Sequence, residues 1–264
     1  MGVKSLLSLQ EAQALFPNFS ITNIEETTHG VIDTTYITEK YIIKKYERSI
    51  EKRVEEDAKR LELFFHHQLN VPRLLAKRRD WYLYERLAGQ PPRNISYYHI
   101  QALARFMAKL HTLSQTQKKP PKFLAQYDIE TYLHFLKKDF FLYYKMLAPL
   151  KTLTLPCEGF IHGDIFKDNT LFNKEKIAVF DFIDGGCGAF SFDVAVSLMA
   201  FNSYNKASFT KLFLQTYNQH TLKKIKKQEL QKALHIATKF YMLLRITNEK
   251  KTRNAQMLLK PYIK

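Results

Sequence analysis

The spacing of apolar residues changes once along this chain, at the segment AGQPP (88–92). Before it, runs rich in Ile, Thr and Tyr alternate with short polar segments, which is typical of strands. After it, apolar residues recur at helical spacing, for example in 96–113 and about 127–148. The sequence therefore predicts two regions, a small β-rich one over 1–88 and a larger, mainly helical one over 89–264.

The small region is predicted to hold a five-stranded antiparallel sheet with one helix. The helix is expected over 50–69, where Val54, Ala58, Leu61 and Phe65 follow helical spacing. Ser8 and Glu11 have the spacing of a capping box and predict a short helix ahead of the sheet. The predicted strands are 19–28, 31–38, 40–46, LLAKR (74–78) and WYLYERL (81–87).

Composition favours a globular protein that is neither a membrane protein nor a nucleic-acid-binding protein. The apolar fraction is 45%, yet no run of about 18 uninterrupted apolar residues is present. The first ten residues, MGVKSLLSLQ, lack the features of a secretory signal. The net charge of +16 calls for an anionic partner, with nucleic acid and a nucleotide triphosphate as candidates. The basic runs lack a nucleic-acid motif, and most of their lysines are interpreted as solvated helix faces.

The two cysteines, Cys157 and Cys187, lack zinc-site spacing and are too few for a disulfide framework. We expect two ordinary buried or half-buried thiols. Reduced thiols and the missing secretory signal favour a cytoplasmic location.

The chemistry is concentrated in FIHGDIFKDNTLFNKEKIAVFDFID (160–184). Asp164 and Asn169 bracket a short loop, and Asp181 follows a strand-like run; a hairpin between them would carry Asn169 and Asp181 to one end. Phosphoryl transfer needs a carboxylate to accept the proton of the attacking hydroxyl, and oxygen ligands to hold Mg²⁺ against a triphosphate. We predict Asp164 as the base and Asn169 with Asp181 as the magnesium ligands.

The spacing H-G-D-x-x-x-x-N parallels the H-R-D-x-x-x-x-N catalytic loop of protein kinases, and Asp181-Phe182 parallels their D-F-G. Gly163 stands where those enzymes carry the arginine that pairs with an activation-loop phosphate, which points away from protein substrates. His162 is interpreted as an anchor of the loop backbone, with a substrate contact as the alternative.

At these residues the chain resembles the aminoglycoside phosphotransferase-like kinases, a superfamily that includes choline kinase, methylthioribose kinase and one type of homoserine kinase. HGDIFKDNTLF and FDFIDGGCGAFSFDVAVSL are most similar to the homoserine kinase branch, including Lys167 within the loop. The resemblance implies an α+β, bilobal, protein-kinase-like fold, with a small N-terminal antiparallel β lobe carrying one helix and a larger, mainly helical C-terminal lobe.

The resemblance also implies how the chain holds its cofactors, ATP and Mg²⁺. Lys44 matches the strand lysine that contacts the phosphates, although the adjacent Lys45 leaves the register open. Gly30 would lie in the loop over the phosphates, or form a plain hairpin turn. The hinge that meets adenine would include Glu85 and Leu87, with an ordinary edge strand as the alternative. The acid that partners Lys44 would be one of Glu55, Glu56 and Asp57.

The expected acceptor is L-homoserine, whose carboxylate needs a cation and whose ammonium needs an acid. Arg245 is the candidate for the carboxylate, with a surface arginine as the alternative; Asp184 either meets the ammonium or caps the following turn. Choline, methylthioribose and an aminoglycoside are the alternative acceptors, and a non-catalytic nucleotide-binding scaffold is the alternative class. Asp193 is interpreted as structural, at the start of a helix. The sequence leaves the oligomeric state open.

Overall fold

The computed structural model describes residues 4–27, 33–203 and 205–249, with side chains up to residue 248. The chain divides into two compact units, and the names unit 1 and unit 2 are kept below. Unit 1 comprises Met1–Gln90 and Leu171–Ile183, and unit 2 comprises Pro91–Thr170 and Asp184–Lys264. The boundary expected after residue 88 stays a prediction, and residues 171–183 pack with unit 1 although they lie far from it in the sequence.

Unit 1 contains a five-stranded sheet with the strand order β1-β2-β3-β5-β4, in which every described pairing is antiparallel. Helix α1 carries the predicted capping box between Ser8 and Glu11. Apolar residues of α1 and of the sheet form one core, with Phe16, Ile43 and Leu83 buried. The elements are α1 (Leu9–Leu15), β1 (Glu25–Glu26), β2 (Thr34–Ile37), β3 (Tyr41–Lys45), α2 (Glu51–His66), β4 (Leu74–Arg78) and β5 (Trp81–Glu85).

The first strand is much shorter than the run 19–28 predicted from its β-branched residues. Ile21 is buried, and its carbonyl accepts a hydrogen bond from the side chain of Gln13 in α1 at 2.8 Å. Phe19 packs edge-on against Tyr41, with ring centres 5.5 Å apart. Phe19 and Ile21 therefore pack over the core of unit 1 and do not extend its sheet.

A second hairpin, of β7 (Thr170–Asn173) and β8 (Lys176–Val179), belongs to unit 1 from Leu171 onward. Within unit 1, Phe172 and Gln90 form a bridge, and the N–H of Val179 donates to the carbonyl of Asn70 at 3.1 Å. Phe182, directly after Asp181, packs on Phe64 of α2, with ring centres 6.1 Å apart. These contacts fix the backbone on both sides of Asp181.

Unit 2 is mainly helical, as predicted. The helix expected over 127–148 is interrupted at Phe140, whose backbone leaves the helical region (φ −142°, ψ 56°) while its ring packs on Phe135. Residues of α4, α5 and α8 share one apolar core, with Leu136, Leu147 and Met242 fully buried. The helices are α3 (Tyr97–Gln115), α4 (Ile129–Asp139), α5 (Phe141–Leu147), α6 (Phe190–Ala200), α7 (Ala207–Gln219) and α8 (Lys227–Glu249).

Two short strands that the sequence analysis missed, β6 (Gly159–Ile161) and β9 (Gly186–Gly188), pair antiparallel in unit 2. Cys157 and Cys187 form a disulfide across this pair, with 5.1 Å between their Cα atoms. The expectation of two separate thiols is therefore wrong: spacing along the chain did not reveal that the β6–β9 pairing brings residues 30 positions apart into contact. The bond also removes the support that reduced thiols gave to a cytoplasmic location.

None of the described helices is both long enough and apolar enough to cross a membrane.

Candidate active-site residues

In unit 2, a turn at Gly163 follows β6 and determines the backbone path of the loop that carries Asp164. Gly163 has φ +75°, a left-handed conformation that favours glycine. A Cβ atom added there would lie 2.1 Å from the ring of Phe123. Its N–H donates to Asp193 Oδ1 at 2.7 Å, and its carbonyl accepts the hydroxyl of Tyr241 from helix α8. The left-handed backbone and the nearby ring of Phe123 therefore require glycine at position 163. The spacing shared with H-R-D loops did not indicate this reason.

Asp193 holds the backbone of this loop by hydrogen bonds. It is fully buried, and its Oδ2 accepts the N–H of His162 at 3.1 Å and lies 3.0 Å from His111 Nε2. Burial alone would raise the pKa of Asp193, but the hydrogen bond and charge of His111 hold that pKa below its usual value. The structural role expected for Asp193 is supported, and it acts by holding loop backbone.

His111 completes this buried network and was missed as a functional position. Its Nδ1 lies 2.8 Å from the hydroxyl of Tyr217, and its ring stacks on Phe190 at 4.3 Å. A histidine at the end of an apolar helix was the only signal in the sequence, and such a residue is buried without a catalytic role in many folds.

Asp164 is only partly buried, and its carboxylate is oriented by neutral groups. The side-chain nitrogen of Asn169 donates to the backbone oxygen of Asp164 at 2.9 Å and to its Oδ2 at 3.0 Å. The hydroxyl of Tyr241 lies 3.5 Å from Oδ1. The backbone N–H of Asp164 donates to Nδ1 of the buried His162 at 3.2 Å, which supports the anchor alternative for this histidine.

In unit 1, Lys44 of β3 forms an ion pair with Asp181, with 2.7 Å between Nζ and Oδ1. Burial alone would lower the pKa of Lys44, but the charge of Asp181 raises it above its usual value. Lys45, on the other face of the strand, instead reaches Asp80 at 3.3 Å. The structure thereby distinguishes two adjacent lysines that the sequence left open.

Asp181 itself has a left-handed backbone, with φ +66°. This conformation is unfavourable for a non-glycine residue and persists where the surroundings impose it. The side chain of Asp181 remains 41% exposed, so its oxygens stay within reach of a ligand.

Among the three acids proposed as partners of Lys44, only Asp57 is buried, at 4% exposure. Glu55 lies on the surface, 3.5 Å from Lys77. Asp57 pairs with Arg60 at 2.8 Å rather than with Lys44. Burial raises the pKa of Asp57 to about 6, against the opposing charge of Arg60.

The predicted magnesium ligands fit a hard cation in type. Asp181 offers an exposed carboxylate in unit 1, and Asn169 in unit 2 uses its nitrogen on Asp164, which leaves its amide oxygen as the atom for a cation. Within the described part of the chain, no three His, Cys, Asp or Glu side chains cluster as metal ligands. A Mg²⁺ ion held mainly by phosphate oxygens and water needs only one or two protein oxygen ligands, and a carboxylate and an amide oxygen each suit it in type.

The remaining predicted residues are distributed over both units. In unit 1, Glu85 pairs with Arg73 at 3.3 Å and Leu87 is half-buried, while Gly30 lies outside the described residues. In unit 2, Lys167 is half-buried at the start of a short 3-10 helix, and the carbonyl of Asp184 accepts the side chain of Gln126.

Arg245 lies on α8, one turn beyond Tyr241. Its guanidinium is 5.9 Å from the centre of the Phe166 ring, in the loop that carries Asp164. Arg245 is half-buried, and its role toward a substrate stays a prediction.

Comparison with protein families gives a match over residues 23–227 to a family described as "Phosphotransferase enzyme family". No curated protein sequence matches the chain.

Three solved structures with the same fold are distant from this chain in sequence. The ADP-bound aminoglycoside phosphotransferase APH(2'')-Ib is 18% identical, with a TM-score of 0.63 over 96% of this chain and 97% of that one. The macrolide 2'-phosphotransferase MphH from Brachybacterium faecium is 14% identical, with a TM-score of 0.68 over 97% and 99%. The amicoumacin kinase hAmiN, in complex with AMP-PNP, Ca²⁺ and Ami, is 16% identical, with a TM-score of 0.68 over 89% and 83%. The predicted fold class is confirmed.

Proposed function

Because the chain belongs to the phosphotransferase enzyme family, we propose that it transfers the γ-phosphoryl group of ATP to a hydroxyl of a small molecule, with L-homoserine as the acceptor. The observation that carries the proposal is the partly exposed carboxylate of Asp164, which neutral hydrogen-bond donors orient on a loop of fixed backbone.

Asp164 has the role of the base. It accepts the hydroxyl proton as the acceptor oxygen attacks the γ-phosphorus, and the bond from that phosphorus to the β,γ-bridging oxygen breaks to release ADP. A carboxylate needs no altered pKa for this task, since the hydroxyl loses its proton as the new P–O bond forms. Orientation is then the main contribution of the protein, and Asn169 supplies part of it.

Asp181 and Asn169 would hold Mg²⁺, which when bound neutralises charge on the β- and γ-phosphates. Lys44 would contact those phosphates. Its ion pair with Asp181 keeps both side chains ordered before the nucleotide binds, and an ammonium can exchange a carboxylate oxygen for a phosphate oxygen at small cost. Gly30 would cover the phosphates, and the segment with Glu85 and Leu87 would meet the adenine.

L-Homoserine is favoured over a polycation on grounds of charge. Arg245 is close to the loop of Asp164 and suits a carboxylate, and Asp184 suits the ammonium of a zwitterion. Lys167, half-buried in the same loop, would be a further acceptor contact, whereas the buried His162 anchors the loop backbone. A chain with net charge +16 attracts anionic and zwitterionic molecules more strongly than polycations.

A second candidate acceptor is an antibiotic hydroxyl. It is favoured by the fold shared with enzymes whose structures are described as aminoglycoside, macrolide and amicoumacin phosphotransferases or kinases. Identities of 14 to 18% do not carry a substrate from one such enzyme to another.

The deciding experiment measures ADP release with ATP, Mg²⁺ and one acceptor at a time: L-homoserine, choline, methylthioribose, kanamycin and a macrolide. We expect turnover with L-homoserine and a loss of at least about a thousandfold in Asp164→Asn. Turnover with another acceptor instead would support the kinase activity and show that L-homoserine is not the substrate. No turnover with any acceptor, together with no stabilisation by ATP and Mg²⁺, would contradict the proposed function.

The two adjacent lysines offer a matched test of the nucleotide site. Thermal unfolding with and without ATP and Mg²⁺ should show a nucleotide-dependent rise in Tm for the wild type and Lys45→Met, and little or none for Lys44→Met. Equal responses of the two variants would exclude Lys44 as the phosphate contact.

A further inference from the structure

Tyr241 of helix α8 is a buried polar residue that the proposed chemistry does not yet use. It is 7% exposed, and its ring packs on Phe166 at 5.3 Å and edge-on against Phe240 at 5.5 Å. These contacts fix the direction of the ring, so its hydroxyl is aimed at the loop that carries Asp164.

One hydroxyl hydrogen faces two acceptors at this position. The hydroxyl of Tyr241 donates to the carbonyl of Gly163 and also lies 3.5 Å from Oδ1 of Asp164. Burial, and next the negative charge of Asp164, raise the pKa of Tyr241 well above its ordinary value, so the phenol stays protonated. The protonated hydroxyl of Tyr241 therefore acts as a hydrogen-bond donor toward the loop.

The Asp164 carboxylate is consequently held from two directions. Asn169, five residues further along the same loop, donates to Oδ2, while Tyr241, 77 residues away on another element, approaches Oδ1. The hydrogen bond from Asn169 fixes the Oδ2 side of the carboxylate, and the Tyr241 hydroxyl, whose one hydrogen is directed to the Gly163 carbonyl, limits rotation about the Cβ–Cγ bond by its position beside Oδ1. Restricted orientation of the reacting group is the largest contribution that a protein can make when the chemistry itself is simple.

We propose that Tyr241 is a positioning residue for the base: its hydroxyl holds Gly163 and the Oδ1 side of Asp164, so that the carboxylate faces the acceptor hydroxyl. This inference rests on the proposed function, because it requires Asp164 to be the base.

The test replaces Tyr241 with Phe, which keeps the ring contacts with Phe166 and Phe240 and removes only the hydroxyl. ADP release is followed with ATP, Mg²⁺ and L-homoserine, and in parallel with water as the acceptor. We expect kcat to fall about tenfold or more in both reactions, while KM for ATP and for L-homoserine stays within about twofold. A residue that only stabilises the fold would leave kcat per folded molecule unchanged, so each rate is divided by the folded fraction measured by circular dichroism.

Tyr143→Phe is the matched control, because Tyr143 is a half-buried tyrosine that packs on the apolar core of α4, α5 and α8. It should keep the wild-type kcat. A second variant, with 4-aminophenylalanine in place of Tyr241, retains a donor on the same ring and should recover most of the lost kcat. The inference is overturned if Tyr241→Phe keeps kcat within about twofold, if only KM for the acceptor rises, or if the amino variant is as slow as Tyr241→Phe.

Failure of the inference and failure of the proposed function give different results. If Asp164→Asn is inactive while Tyr241→Phe is fully active, the base assignment stands and Tyr241 is only structural. If Asp164→Asn keeps its activity, the base assignment itself is wrong, and the inference that depends on it is wrong as well.

Discussion

The two units hold their carboxylates by different means. In unit 1, Asp181 and Asp57 are each paired with a cationic side chain, Lys44 and Arg60 respectively. In unit 2, Asp193 receives two backbone N–H groups and faces His111.

Asp164 follows the pattern of unit 2, since it faces an amide and a phenol hydroxyl. The two paired acids of unit 1 thus face flexible charged side chains, whereas in unit 2 Asp164 faces neutral donors and Asp193 faces backbone N–H groups and His111.

The two kinds of partner suit two different functions, the binding of phosphate and the orientation of a carboxylate. A flexible cation such as Lys44 can exchange one anionic partner for another, which a nucleotide site requires when phosphate arrives. Backbone and amide donors have fixed positions and bring no counter-charge, so they orient a carboxylate without neutralising its attraction for a proton. The contrast predicts that substitutions in unit 2 cost more stability than equivalent ones in unit 1.

The largest expected effect concerns the disulfide of unit 2. Loss of a link across 30 residues in Cys157→Ser should lower the free energy of unfolding by about 3 to 4 kcal/mol. Hydrogen exchange should speed up in β6 and β9 and stay unchanged in β2 to β5. Reduction of the wild type serves as the control and should give the same pattern. Equal acceleration in the sheet of unit 1 would break the comparison between the units.

The next effect concerns the anchor of the loop that carries Asp164. Asp193→Asn places an amide where two backbone N–H groups need acceptors, so we expect a loss of about 3 kcal/mol in urea unfolding. The exposed Asp168, in the same loop, provides the control, and Asp168→Asn should stay within about 0.5 kcal/mol of the wild type. A tolerated Asp193→Asn would show that backbone donors do not hold this loop.

The pH dependence of stability should have opposite signs in the two units. The pKa of Asp57 is about 6 in the folded protein against 3.8 as its ordinary value, so the folded state binds the proton more tightly and stability falls as pH rises from about 4 to 6. The size is on the order of 3 kcal/mol, and Asp57→Asn should remove it. Asp193, with its lowered pKa, contributes stability that is lost as pH falls below about 4. Urea unfolding across this range checks both signs; a difference between wild type and Asp57→Asn that does not vary with pH would contradict the first.

The smallest effect concerns the ion pair of Lys44. Because Asp181 is 41% exposed, water screens the pair, and Lys44→Met should change the free energy of unfolding by less than about 1 kcal/mol. Lys45→Met, which removes a more exposed contact with Asp80, should also change it by less than about 1 kcal/mol in the absence of nucleotide. A loss of several kcal/mol in Lys44→Met alone would mean that unit 1 depends on its ion pair as a structural element.

Much of the fold was predictable because its signals are local. Strand-like and helical spacing gave the five-stranded sheet of unit 1 and the helices of unit 2, and the capping box of Ser8 and Glu11 was visible in four residues. The exceptions arose where tertiary packing overrode local preference. Residues 19–24 cover a core instead of forming a strand, and Phe140 interrupts a predicted helix.

By itself the sequence determined which residue types are available for phosphoryl transfer and in which order they follow, because Asp164, Asn169 and Asp181 lie within 18 residues of one another. Tertiary structure decided which groups act on them. Lys44 is 137 residues from Asp181, and Tyr241 is 78 residues from Gly163, so no local pattern couples either pair. Nor does any local pattern indicate that Lys44 rather than Lys45 faces Asp181, that Asp57 is buried, or that Cys157 and Cys187 are bonded. Each depends on which side of a strand or helix faces the interior, and that is fixed by packing between elements far apart in the chain.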